Sequence, residues 1–117
     1  MNFGDAKWAR GLVDTAYKKS IIRAIRRTKR EIKLVAEDSK TSTCIYYESD
    51  KLVMAVYIRL APRLIMNGYT VKLIPSNDFK SLRGIKISWA NEVDSYQIEE
   101  NMQKYYKEIK KYADDSD

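Results

Sequence analysis

The sequence predicts an α+β domain of order α-β-α-β-β-α: a three-stranded mixed sheet packed by helices, with long amphipathic helices at both ends. Three observations carry that expectation. Apolar residues recur at helical spacing between Tyr17 and Val35, and again between Ile98 and Tyr112. Two short runs, "YTVKLI" and "GIKISW", alternate apolar and polar residues as half-buried strands do. Upstream of them, "TCIYYE" is rich in β-formers and precedes a segment that is apolar nearly all round.

The first helix is expected over Asp5 to Glu37. Its apolar stripe is Tyr17, Ile21, Ile25, Thr28, Ile32 and Val35, flanked by Ile22 and Ala24. Trp8, Leu12 and Ala16 lie off that stripe, so either the helix bends or its first turns meet another element, with Gly11 as the weak point. "DSKTS" breaks the pattern, and a strand follows over Thr43 to Glu48. Ser49 and Asp50 offer an N-cap to a buried helix, Lys51 to Asn67, which Gly68 ends. Pro62 removes one backbone donor from that helix and predicts a kink near Ile58.

In the strands that follow, Tyr69, Val71 and Leu73 share one face, as do Ile85, Ile87 and Trp89, while Thr70, Lys72, Lys86 and Ser88 point the other way. The polar "PSNDFKSLR" joins them as a hairpin loop. The first strand, the buried helix and the second strand form a βαβ unit, with the third strand hairpinned onto the second. Ser95 to Ala113 repeats Ile98, Met102, Tyr105, Ile109 and Tyr112 in an a/d pattern, before "DDSD" as a frayed tail. Residues 1–117 thus form a single domain: a long basic helix (1–40), a βαββ core (41–91), and an acidic C-terminal helix and tail (92–117).

Composition narrows the chemistry. There is no histidine and a single cysteine, Cys44, expected to be a small buried hydrophobe. Ser-His-Asp and Cys-His catalysis are therefore excluded, as are the usual zinc sites. No catalytic residue, metal or cofactor is expected. No apolar run reaches the ~18 residues of a membrane span, and the N-terminus does not read as a secretory signal. The expectation is a cytoplasmic protein with no membrane partner.

The net charge of +6 is unevenly placed. Between Lys18 and Lys33 eight Lys or Arg stand against Glu31 alone, whereas the last 26 residues are net acidic. On a helical projection Lys19, Arg23, Arg26, Arg27, Arg30 and Lys33 fall opposite the apolar stripe, as a site for nucleic acid or an acidic partner would. The competing expectation is a solvated face, shielded within the chain or across a dimer by Glu92, Asp94, Glu99, Glu100 and Glu108. Tyr105, Tyr106 and Tyr112 are assigned to a protein interface, against packing of their helix on its own sheet. The a/d seam admits a homodimer.

Two further matches are short. "RGIKISW" has the glycine and terminal aromatic of an RNA-binding strand, but Ile85 and Ile87 replace the stacking aromatics. Asp78-x-Lys80 has the spacing of a metal-dependent nuclease motif, which needs a second carboxylate such as Asp50 or Glu48; Asn77 and Asp78 also suit a plain turn.

The succession of amphipathic helix, short strand, apolar helix ending in "NGY", "YTVKLI" and closing "GIKISW" over residues 5–89 resembles small accessory proteins of tailed phages and prophages. The resemblance implies action by binding host or defence machinery. The leading expectation is a non-catalytic phage-type accessory protein that binds a host or defence protein. The alternative is a nucleic-acid-binding protein using the basic helix face on phosphates. A metal-dependent nuclease comes third.

Overall fold

The computed structural model describes residues 5–78 and 80–114, without the side chains of Trp8, Ala113 and Asp114. The elements are α1 (Ala6–Glu37), β1 (Ser42–Tyr46), α2 (Asp50–Met66), β2 (Thr70–Pro75), β3 (Leu82–Ser88) and α3 (Ser95–Asp114). The α+β class and the element order are as the periodicities predict. The sheet is not mixed. β3 enters between β1 and β2 and pairs antiparallel with both, giving the order β1-β3-β2. The βαβ unit is therefore split by the strand that follows it. In the middle position Ile85 and Ile87 on β3 are 1% and 0% exposed, whereas Val71 and Leu73 on the edge strand β2 stay half-buried.

The inner face of the sheet carries Thr43, Ile45, Ile85 and Ile87, with Val71 and Leu73 half-buried beside them. A register shift at Ile74/Pro75 brings Leu82 opposite Pro75 and onto the same side. All the helices cover this face: α1 lies over β1, α2 over β3 and β2, and α3 against α2. Gly84, at the bulge, is a position where only glycine fits, because a Cβ there would lie 2.2 Å from the Ile45 carbonyl oxygen.

Capping is local chemistry. The Leu52 N–H donates to Ser49 Oγ at 3.1 Å, and α2 ends with Gly68 at φ +94°. There the Gly68 and Tyr69 N–H groups bond back to the Ile65 and Leu64 carbonyls. At the start of α3, the Gln97 N–H donates to Asp94 Oδ1 and the Asp94 N–H to Gln97 Oε1, a reciprocal capping box.

α2 continues through Pro62 as one helix. Proline at 62 leaves the carbonyl of Ile58 without its helical donor. The Tyr105 hydroxyl supplies the replacement, donating to the Ile58 oxygen at 3.0 Å. Its ring packs on Tyr57, centroids 5.2 Å apart. α3 is thus pinned at the one place where α2 cannot satisfy itself.

α1 is attached along part of its length. Tyr17, Ile21, Ala24, Ile25, Thr28, Ile32 and Val35 are buried or half-buried. Ile22, expected beside the stripe, is 49% exposed. Ahead of Tyr17 every described side chain of the helix is exposed. Leu12 and Val13 are 54% and 67% exposed and Ala16 is exposed too, while the Trp8 side chain lies outside the described residues, as do the last three residues of the tail.

Two predictions follow from this packing. Tyr105→Phe should cost about 1 kcal/mol by urea unfolding, and much less in a Pro62→Ala background, where residue 62 regains its N–H. Gly84→Ala should cost about 3 kcal/mol, because the clashing atom is backbone and cannot rotate away.

Candidate polyanion-binding surface

The burial of Ile21, Ala24 and Thr28 against β1 and α2 fixes the rotation of α1. Lys19, Arg23, Arg26, Arg30 and Lys33 consequently face outward, all exposed, over about 21 Å of helix. Among the described residues Lys19, Arg23, Arg26 and Arg30 join no ion pair, and Lys33 has only an exposed one, 4.0 Å from Glu37.

Arg27 is different. Its guanidinium donates to the Tyr46 carbonyl at the outer edge of β1, stands 3.6 Å from Glu48 and lies 5.2 Å from the Tyr47 ring centre. Beneath it Thr28 Oγ donates to the Ala24 carbonyl at 2.8 Å. Its single proton is thereby used, so the Tyr47 hydroxyl, 2.6 Å away, is the donor to Thr28. Burial raises the pKa of Tyr47 and outweighs the effects of Thr28 and Arg27. Arg27 therefore fastens α1 to the sheet and leaves five cations for a ligand.

The acidic helix does not lie over these cations. α3 packs on α2 at the β2 side, while α1 lies at the β1 side. Its a/d residues Ile98, Met102, Ile109 and Tyr112 pack against the core, which removes the basis for a homodimer through that seam. Of the tyrosines assigned to an interface, Tyr105 is 5% exposed and serves α2. Tyr112 is half-buried, and Tyr106 is 56% exposed.

A second basic surface was not expected from the sequence. No described helix lies over the outer face of the sheet. Strand register sets its rows: Ser42–Ser88–Thr70, Cys44–Lys86–Lys72, and Tyr46–Gly84–Ile74. Lys72 and Lys86 stand side by side, Arg83 holds its guanidinium 5.1 Å from the Tyr46 ring centre, and no acid occurs in these rows. Cys44 is exposed here rather than buried, since it alternates with the inward Thr43 and Ile45. The alternation of "TCIYY" was the signal that places Cys44 and Tyr46 outside.

The remaining candidates fall to local structure. Ile85 and Ile87 face the core, so β3 offers no stacking surface. Asp78 accepts from the Ser76 hydroxyl and from the Lys80 N–H, at 3.0 Å in the latter case. These bonds lower its pKa and make Asp78-x-Lys80 the frame of a turn. Glu48 faces Arg27, and no group of three or more potential metal ligands occurs among the described residues. Nor is any described helix long and apolar enough to cross a membrane.

Arg27→Ala should lower stability by about 1 kcal/mol, the worth of a charged hydrogen bond at a half-exposed site, and Arg26→Ala by less than about 0.5 kcal/mol; parallel urea titrations separate the two. No family model, curated protein or solved structure matches the chain.

Proposed function

We propose that this is a non-catalytic nucleic-acid-binding protein that seats α1 along a phosphate backbone. The observation that carries the proposal is the row Lys19, Arg23, Arg26, Arg30 and Lys33, exposed on one side of the helix with α3 packed elsewhere. Such a row neutralises successive phosphates and releases their counterions, and arginine adds bidentate contacts. The open sheet face, with Lys72, Arg83, Lys86 and the exposed Tyr46, adds a second cationic surface with an aromatic ring for stacking.

A protein partner is the second reading, favoured by Tyr106 and Tyr96, which are 56% and 75% exposed, and by the groove described below. The resemblance to small phage proteins supports a partner from the host or its defence machinery. The single cysteine supports a reducing, cytoplasmic setting.

Fluorescence anisotropy with labelled single- and double-stranded DNA and RNA tests the proposal. At about 50 mM salt the wild type should bind, with log K falling against log salt at a slope of about −4 for five phosphate contacts. The variant carrying Arg23→Glu, Arg26→Glu and Arg30→Glu should keep its circular dichroism spectrum and lose binding. An absence of binding at low salt, or undiminished binding by that variant, overturns the proposal.

A further inference from the structure

The two edges of the sheet are treated differently. At the edge of β1 Arg27 donates to the Tyr46 carbonyl, and α1 lies over that strand. The edge of β2 is open, and the hydrogen-bond pattern says which groups it presents. The Tyr47 N–H donates to the Arg83 carbonyl and the Trp89 N–H to the Thr41 carbonyl. By alternation the backbone groups of Ile85 and Ile87 also turn towards β1, and those of Gly84, Lys86 and Ser88 towards β2. Their β2 partners are Ile74, Lys72 and Thr70. The N–H and C=O groups of Val71 and Leu73 therefore point outward, and no described residue takes them up. Pro75 closes the far end by lacking a donor.

Beside this edge runs a groove of about 690 Å³ between β2 and α3. Val71 and Leu73 line it from β2, and Tyr105 and Tyr112 line it from α3, with the charged Glu108 and Lys111 of α3 beside them. On the opposite side of the strand, Lys72 faces Lys86 directly across the ladder. Like charges so placed repel, and the outer rows contain no acid to offset them.

We infer that the β2 edge is a docking site for an extended peptide of the pattern apolar–acidic–apolar, added as a fourth antiparallel strand. The backbone of Val71 and Leu73 supplies four hydrogen bonds to the peptide main chain. Peptide residues opposite Val71 and Leu73 turn their side chains inward, into the groove against Tyr105 and Tyr112. The residue between them lies opposite Lys72 and turns outward, where a carboxylate answers Lys72 and relieves its repulsion with Lys86. The inference does not rest on α1, although it shares Lys72 and Lys86 with the cationic sheet face.

An NMR titration of the full chain with a short acetylated peptide centred on Leu-Glu-Ile, and with its Leu-Lys-Ile counterpart, tests it. The glutamate peptide should shift the amide signals of Val71 and Leu73 and slow their hydrogen exchange, and the lysine peptide should bind about tenfold more weakly or worse. Lys72→Glu should reverse that preference. Leu73→Pro removes an outward donor without touching the ladder to β3 and should abolish binding. N-methylation of the peptide at the residue facing Leu73 does the same without altering the protein, whereas methylation at the central residue should be tolerated. Unshifted Val71 and Leu73 signals, or equal binding of both peptides, overturn the inference. So does self-association in sedimentation that Leu73→Pro abolishes, since a second copy would then be the occupant.

Discussion

Ile85 and Ile87 need cover on every side, and their burial organises the molecule. To remove them from water β3 must take the middle of the sheet, with β1 and β2 beside it and α2 above. A sheet of this width has room for one covered face, and the chain has apolar side chains for one. The consequence is a protein with two unlike sides: a helical layer holding all the greasy contacts, and a bare sheet face with cations and hydroxyls. Both basic surfaces lie on the outside of this arrangement, one on the back of the outermost helix and one on the uncovered strands.

The two flanking helices are held by polar pins as well as by apolar contact. α1 is attached where Thr28, Tyr47 and Arg27 meet, so that the hydroxyl chain and the guanidinium fix both its rotation and its position over β1. α3 is attached where Pro62 has left a carbonyl of α2 in want of a donor. In each case one element lends a polar group to a backbone group that its owner leaves unsatisfied. These pins explain why residues that look like recognition groups in the sequence, Arg27 and Tyr105, are committed to the fold.

Much of this was legible from the sequence, and what was legible was local. Helical spacing located α1 and α3, Ser49 and Gly68 bounded α2, and alternation assigned Lys72 and Lys86 to the outer face. The hairpin of β2 and β3 was legible from their short connection, but the partner of β1 was not, because nothing within a strand states which distant neighbour it will choose. Cys44 was misjudged by treating residue type as burial, although the parity of its strand already placed it outside. Tyr105 stands among the interface candidates in the sequence because its partner, the Ile58 carbonyl, is 47 residues away. The cations of α1 were read from the projection, but the position of the acidic helix depends on tertiary packing.

The unsupported turns of α1 give the molecule its length. The radius of gyration is 16.6 Å and the longest extent 59 Å, against the radius of about 13 Å usual for a compact chain of this size. From Ala6 to Ala16 every described side chain of α1 is exposed. An isolated helix that short would be marginal in water, because starting it is costly. Here the anchored portion from Tyr17 onward serves as a nucleus on which the turns ahead of it are built. The same anchorage runs beneath the whole row from Lys19 to Lys33, so a molecule laid along it meets a rod already wound and held in place.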